Sequence, residues 1–239
     1  MDKTNDLFGK NIGDLTKLNN LNCVNYVELR NKWSEITGKC CENKCINTNK
    51  LIGNCIEGNG FGNIINDENI KYLVGNGGSK KDVFVYAENS FNKPKYCLIY
   101  SLYYFEITCK IEGELTKDIN CMSIGLENLN TNKCIQINKI RSLKYESYKL
   151  TTIAKNNDIF GCGLVYPPTN KLNEEFPYIF FTKNGEQIDK TTLLKENFIS
   201  YKPYVELLCC SVEANFGNDL ELKPFKYDIS KHLILKEFY

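Results

Sequence analysis

The chain has one histidine, His232, and no excess of either charge. Its 30 Lys and Arg residues stand against 29 Asp and Glu residues, for a net charge of +1. A binder of nucleic acid or of an anionic membrane needs basic residues in excess, so this balance removes the electrostatic basis for both functions. Histidine is the usual general base near neutral pH, and its scarcity argues against most hydrolytic and zinc-enzyme mechanisms.

The sequence also lacks long apolar segments. No run approaches the roughly 18 apolar residues of a membrane-spanning helix, and residues 1–7 contain no apolar core of a signal peptide. The twelve cysteines are about 5% of the 239 residues, below the roughly 8–10% that marks a disulfide scaffold. We therefore expect free thiols in a reducing compartment, the cytoplasm, with the nucleus also open.

Short β-prone segments dominate the later part of the chain. They are residues 83–86, 104–111, 122–126, 159–166, 178–181, 204–208 and 212–216. Each is bounded by Gly, Asn or Pro. The pair Asn184-Gly185 follows one of them and suits a type I′ hairpin turn, which needs residues that tolerate positive φ. Seven or more short strands without intervening helices predict an all-β fold, an antiparallel two-sheet β-sandwich.

A different spacing precedes the strands. Between residues 15 and 36, apolar side chains recur mostly three to five positions apart, which predicts a helix with Asp14 as its cap. We therefore divide the chain into a helical N-terminal extension at residues 1–44, a β-sandwich at residues 45–232 and a C-terminal tail at residues 233–239.

Six motifs along the predicted strands resemble those of SPRY domains in their order and separations. They are Tyr104-Phe105-Glu106-Ile107, Ser123-Ile124-Gly125-Leu126 and residues 158–163, 179–185, 202–205 and 212–217. The similarity is greatest to Ran-binding protein M-like SPRY domains, and the composition is similar to that of the SPRY families of plant-parasitic nematodes. It covers about residues 100–229, and a preceding subdomain extends back to about Cys45.

The resemblance implies a bent sandwich that binds another protein through loops at one edge, without catalysis or a cofactor. The motif residues themselves are expected to be structural. We expect Tyr104, Phe180, Phe181 and Phe216 in the core or at its edge, with the glycines of residues 161–163 allowing close strand packing. Cys109, Cys121 and Cys162 also fall in strand patterns and are expected in the core. We expect Glu106 and Asn215 to bind backbone groups rather than a partner.

The resemblance places partner contacts in three segments. The first precedes the first motif, the second follows the Gly125-Leu126 strand at residues 141–148, and the third joins the last two motif strands. The predicted contact residues are Tyr86, Glu88 and Asn89, then Tyr145 and Tyr148, then Leu207, Leu208, Cys209 and Cys210. Tyrosine suits this role because it offers a large contact area with a polar tip. The expected partner is a short peptide segment or surface of another protein.

Four cysteines near the start of the predicted sandwich raise the question of a metal site. Cys40, Cys41, Cys45 and Cys55 place four thiols within sixteen positions, which is enough for a Cys₄ zinc site. Their spacing is Cys-Cys-x-x-x-Cys, without the usual Cys-x-x-Cys, and no histidine is near. We therefore predict free or partly buried thiols and assign no metal ligand.

Two further functions compete with protein binding. Cysteine catalysis needs a thiolate beside an imidazole, and His232 is expected at an exposed terminal position, so we predict no enzyme. Sugar binding stays the alternative, because lectins share the layer architecture of a sandwich. Sugar sites commonly stack the ligand on tryptophan, and the one tryptophan, Trp33, falls in the predicted helix.

Overall fold

The β-prone segments form strands in the computed structural model, which describes residues 24–46, 53–113, 121–136, 140–141, 155–169, 175–195 and 199–234. The strands are β1 (Val24–Tyr26), β2 (Trp33–Thr37), β3 (Phe61–Ile64), β4 (Asn69–Leu73), β5 (Val83–Ala87), β6 (Phe91–Asn92), β7 (Tyr100–Ile111), β8 (Cys121–Asn128), β9 (Lys133–Gln136), β10 (Ile140–Arg141), β11 (Ile159–Tyr166), β12 (Tyr178–Lys183), β13 (Glu186–Leu193), β14 (Ser200–Leu208) and β15 (Cys210–Asn215).

These strands form two sheets, and the predicted all-β sandwich is confirmed. The first sheet has the order β13-β12-β11-β7-β15-β4-β3, and β1 pairs in parallel with the beginning of β7. The second sheet has the order β10-β8-β14-β5-β2, and β6 and β9 pair with β14 and β8. Every other strand pair in the described residues is antiparallel.

The main core lies between the inner faces of the sheets. In β5, Val83 and Val85 are fully buried, whereas the alternate residue Phe84 is only half-buried, as expected for side chains on opposite faces of a strand. Phe105 in β7 and Val205 in β14 belong to the same cluster. The motif aromatics Phe181 and Phe216 are buried in this cluster as well, and so are Cys109 and Cys162. The prediction of a core position is confirmed for all four; the side chain of Cys121 lies outside the described residues.

A second apolar cluster covers the outer face of the first sheet. Tyr104 and Phe180 point to this face and stack with ring centroids 6.0 Å apart. The glycines Gly161 and Gly163 make room for them, because a Cβ on either would lie closer than 3.0 Å to the Tyr104 hydroxyl or the Phe180 ring. The prediction of close packing at these glycines is confirmed.

Residues 225–234, which we call the C-terminal strap, lie against this outer cluster. Phe225 contacts Tyr104 edge-on, with ring centroids 4.9 Å apart. Glu106 is buried, and its carboxylate accepts the backbone N–H groups of Lys226 at 2.8 Å and Tyr227 at 2.9 Å. The same carboxylate accepts the Tyr104 hydroxyl at 2.9 Å. Glu106 therefore anchors the strap, as the expected backbone-binding role requires.

The strap also contains the one histidine. His232 follows the 3₁₀ turn Ile229–Lys231 and is 3% exposed, so the prediction of an exposed terminal position was wrong. The ring stacks on Phe180 at 4.2 Å between centroids. Its Nε2 lies 2.9 Å from the Tyr178 hydroxyl and its Nδ1 lies 2.8 Å from the Tyr227 hydroxyl. The rings of Phe180, Tyr178 and Tyr227 pack around the histidine and bury it although it is close to the end of the chain.

The predicted helix across residues 15–36 was wrong wherever the structure describes it. Residues 24–26 form β1 and residues 33–37 belong to β2, whereas residues 1–23 lie outside the described residues. Both segments contain β-branched and aromatic side chains, and their backbone groups pair with β7 and β5. Trp33 packs into the main core and donates its indole N–H to the Glu68 carbonyl at 3.0 Å. These tertiary contacts outweigh the helical spacing, which is a weak preference on its own.

The predicted hairpin is confirmed between β12 and β13. Asn184 and Gly185 have φ values of 53° and 90°, as a type I′ turn requires. Asn184 also accepts the backbone N–H of Ile159 at 2.8 Å and donates to Asp158 at 3.0 Å, which ties the turn to β11. Within the described residues, no helix is long and apolar enough to cross a membrane.

Candidate functional site

The first and third predicted contact segments lie at opposite ends of the second sheet. In β5 and β14, Val83 pairs with Leu207, whereas Glu88 and Asn89 follow the opposite end of β5. The extended strand between these two ends, Val83–Ala87, is about 13 Å long. Arg141 pairs with Cys121, which in turn pairs with Leu208, so the second segment starts at the Leu207 end. Tyr145 and Tyr148 lie outside the described residues.

The third segment is a tight turn whose side chains point into the core. Leu207, Cys209 and Cys210 have exposed fractions of 0%, 1% and 2%. Cys209 adopts a positive φ of 56° between β14 and β15, and its carbonyl accepts the Glu112 N–H at 2.9 Å. Because these side chains are closed to a partner, their assignment as contact residues is corrected. Leu208, on the opposite face of β14, is half-buried and packs against the core.

Tyr86 lies on the outer face of the second sheet. Its ring stacks with that of Tyr204 at 5.8 Å between centroids, and the Lys202 ammonium lies 5.7 Å from its centroid. Burial and the nearby Glu127 carboxylate raise the pKa of Tyr86 to about 12, so the hydroxyl stays protonated at neutral pH. Tyr86 is therefore half-buried within an aromatic pair and lies beside the site formed by Glu88 and Asn89.

Asn89, next to Glu88, belongs to a network of three asparagines with Asn31 and Asn218. Asn31 is buried, and its side-chain oxygen accepts the N–H groups of Asn89 at 2.9 Å and Lys32 at 3.0 Å. Its side-chain amide donates to the Asn89 carbonyl at 2.8 Å. Asn218 binds the backbone N–H and carbonyl of Asn31 at 2.9 and 2.8 Å, and Asn89 donates to the Arg30 carbonyl at 2.9 Å. We call this region the asparagine end of the sandwich.

The network fixes the wall of an open polar pocket of about 410 Å³. The residues that line it are Arg30, Asn31, Lys32, Asp67, Glu88, Asn89 and Asn218. Lys32 and Glu88 form an ion pair at 3.4 Å with both side chains about half-exposed. The pocket therefore offers side chains of both charges on a backbone that the three asparagines hold in place, which suits binding of a polar ligand.

Sequence reasoning placed Glu88 and Asn89 near a site but missed the rest of this pocket. Asn31 and Asn218 are 187 positions apart, and Asn31 and Asn89 are 58 positions apart. No spacing rule connects such positions, because the contact depends on how the two sheets pack. The residues Arg30-Asn31-Lys32 also fell in the stretch interpreted as a helix.

The opposite end of the sandwich brings four cysteines together. The sulfur atoms of Cys40, Cys41, Cys45 and Cys55 all lie within 4.8 Å of one another, and all four residues are buried. Although burial opposes it, hydrogen bonds from the amide group of Cys45, from neighbouring thiols and from the Asn43 amide group lower the pKa of Cys41 to about 7. We call this region the cysteine end. Thr37, which precedes the cysteines, pairs with Phe84, and Leu207 pairs with Val83, so both lie at the beginning of β5. The cysteine end therefore also contains the turn at Cys209.

Comparison with known proteins identifies no family. No family model matches the chain, and no curated protein matches it. Among solved structures, a seed lectin isoform from Lotus tetragonolobus is similar with a TM-score of 0.32 and 7% sequence identity, over 65% of this chain and 91% of the lectin chain. A similarity of this size supports no conclusion about function.

Proposed function

We propose that this protein is a non-catalytic interaction module of the SPRY type that binds a short polar segment of another protein at the asparagine end. The observation that carries the proposal is the asparagine network. It locks three separate segments of the chain around one open pocket. A site held in its bound shape loses less entropy on binding, so a shallow polar pocket can reach useful affinity.

The lining of the pocket favours a peptide over an apolar cofactor. Small-molecule sites are mostly apolar with a few polar groups, whereas all seven residues that line this pocket are polar or charged. An extended peptide presents backbone N–H and carbonyl groups at regular intervals, and exposed amide and carboxylate groups can bind them. Arg30, Lys32, Asp67 and Glu88 would then select the charges on its side chains.

The same lining supports the proposal that the module is not an enzyme. The pocket residues include no cysteine, histidine, serine, threonine or tyrosine, so they hold no nucleophile with an adjacent base. The two carboxylates present, Asp67 and Glu88, lie beside cations and amides, and Glu88 pairs with Lys32. This arrangement suits charge recognition.

The sugar-binding alternative gains no support from Trp33. Its ring is 3% exposed and packs edge-on against Phe216 at 5.0 Å between centroids. A sugar stacks on an exposed ring face, and Trp33 offers none. Arg30 does line the pocket, so direct measurement of glycan binding separates the two functions.

Peptide display tests the proposal. We expect the full chain to enrich polar peptides from a random library, and we expect the double variant Lys32→Ala, Glu88→Ala to bind them at least tenfold more weakly. The matched control is Lys71→Ala, Glu112→Ala, which removes an ion pair of 2.7 Å away from the pocket. Surface ion pairs contribute about 0–1 kcal/mol, so both variants should stay folded.

Three outcomes would contradict the proposal. One is that the selection enriches no peptide, and another is that both double variants bind the selected peptides as the unmodified chain does. The third is that a glycan array shows sugar binding that the Lys32→Ala, Glu88→Ala variant loses, which would favour a lectin.

A further inference from the structure

We propose that Cys40, Cys41, Cys45 and Cys55 bind one Zn²⁺ ion in a structural site with four thiolate ligands. The cluster lies at the cysteine end, in the connection between β2 and β3. Nothing in the proposed recognition function uses it. The argument rests on the positions of the four sulfur atoms and on the groups that surround them.

The distances between the sulfur atoms match a tetrahedral zinc site. Zinc–sulfur bonds of about 2.3 Å in a tetrahedron place the sulfur atoms about 3.8 Å apart. The sulfur atoms of Cys40 and Cys41 are 3.8 Å apart, and those of Cys41 and Cys45 are 3.4 Å apart. All pairs, including those with Cys55, lie within 4.8 Å. Small side-chain rotations therefore suffice to place all four around one ion.

A backbone amide group points at one of the sulfur atoms. The N–H of Ile46 donates to the Cys40 sulfur at 3.3 Å. A zinc ion with four thiolates carries a double negative charge, which donors of this kind stabilise and orient. The contact at Cys40 is therefore of the kind that a tetrathiolate site needs.

Simple packing does not explain this arrangement. Cys162 shows the alternative: it is fully buried in the main core, and burial is the one influence acting on its thiol. At the cysteine end, the sulfur atoms instead contact one another, and that of Cys40 also accepts a backbone N–H. All four cysteines are free thiols, so disulfide formation does not account for the cluster either.

The turns of the connection support convergence of the ligands. Lys44, just before Cys45, has a positive φ of 48°, and its N–H binds the Cys41 carbonyl at 3.0 Å, which folds Cys45 back toward Cys41. Gly58 closes a similar turn by donating to the Cys55 carbonyl at 2.9 Å. The buried Asn59 then donates to the Cys40 carbonyl at 2.8 Å, which joins the two halves of the connection.

Zinc would fasten the two sheets to each other. β2 belongs to the second sheet and β3 to the first, and the four ligands come from the chain between them. Binding replaces the thiol protons with the metal, so each thiol that is protonated before binding releases one proton to solvent. No oxidation or reduction occurs, because Zn²⁺ has no redox chemistry.

Metal content of the full chain tests the proposal. Protein produced with zinc in the medium and purified with a reductant and no chelator should contain about one zinc per chain by plasma mass spectrometry. We expect Cys40→Ser and Cys55→Ser to lower the zinc content at least tenfold. The control is Cys109→Ser, which changes an equally buried cysteine of the main core and should keep its zinc.

A second measurement covers variants that fail to fold. Chelator-treated unmodified protein should bind one Co²⁺ per chain with the visible absorption of tetrahedral thiolate coordination, and added Zn²⁺ should displace it. Background zinc in the unmodified protein together with no Co²⁺ absorption would overturn the proposal. Iron at one equivalent in place of zinc, or equal zinc loss in Cys109→Ser, would overturn it as well.

Discussion

Burial of His232 makes the stability of the protein depend on pH in a predictable direction. The imidazole is 3% exposed, and burial lowers its pKa from 6.5 to about 4. The unfolded chain therefore binds a proton between these values that the folded chain does not bind. Stability from this group is fully present above pH 6.5 and is lost as the pH falls toward 4.

The magnitude follows from the two pKa values. For a pKa of 6.5 in the unfolded chain and about 4 in the folded chain, linkage predicts a loss of about 2 kcal/mol in the free energy of unfolding between pH 7.5 and pH 5.0. Other groups titrate in this range too, so the measured quantity is the difference from a His232→Gln variant. In urea unfolding, the free energy of unfolding of the unmodified protein should fall, relative to that of His232→Gln, by about 2 kcal/mol between pH 7.5 and pH 5.0.

The scarcity of histidine gives a direct check. Because the chain has one histidine, its imidazole proton resonances need no assignment in an NMR titration. We expect no change in those resonances between pH 7.5 and pH 5.0 while the protein is folded. A midpoint near 6.5, or parallel stability curves for the unmodified protein and His232→Gln, would refute burial of this ring among Tyr178 and Tyr227.

Two further predictions test the outer face of the first sheet. Gly161→Ala places a Cβ closer than 3.0 Å to the Tyr104 and Thr182 oxygens, so it should lower the free energy of unfolding by about 1–3 kcal/mol in urea titrations. Gly53→Ala, where no atom lies within 4 Å of the new Cβ, should change it by less than about 0.5 kcal/mol, and equal effects would contradict the packing. Glu106→Gln replaces one accepting oxygen with an NH₂ group that faces a backbone N–H or the Tyr104 hydroxyl, so it should cost about 2–3 kcal/mol and speed amide hydrogen exchange within the C-terminal strap. Unchanged exchange there would show that Glu106 is not its anchor.

The sandwich could be predicted because seven of its strands, β5, β7, β8, β11, β12, β14 and β15, carry their own local signals. The hairpin turn depends only on the positive φ values that Asn184 and Gly185 adopt. In residues 83–87, every second side chain is buried, as the period of a strand predicts. The N-terminal stretch shows where local signals fail. Its apolar spacing favours a helix, but residues 33–37 lie on the edge of the second sheet, where pairing with β5 and burial of Trp33 contribute more than helix propensity.

The candidate site could be predicted only in part, because it depends on tertiary contacts. Glu88 and Asn89 were found since they precede a recognisable strand, whereas Asn218 reaches the site from the other sheet. The turn at Cys209 was misplaced for a related reason. A connection between strands is usually exposed. This one has a single residue between β14 and β15, so it is too short to carry its side chains away from the core.

The cysteines show how sequence spacing and spatial arrangement differ. A Cys-x-x-Cys pair places two sulfurs together within one turn, and its absence argued against zinc. Here the convergence is divided between two turns, at Lys44 and at Gly58, which bring Cys41, Cys45 and Cys55 to one place from different directions. Four thiols in a short connection are therefore a stronger indication of a metal site than the spacing of any two of them.

The asparagine end and the cysteine end can be tested separately. They lie at opposite ends of β5, and they share none of the side chains that form them. Loss of zinc should lower the melting temperature without changing the amide contacts around Asn31. The Lys32→Ala, Glu88→Ala variant should in turn keep its zinc while it loses peptide affinity. If zinc loss abolished peptide binding in protein that stays folded, the two ends would be coupled through β2 and β5, and the pocket could not be the independently fixed site that its asparagine network indicates.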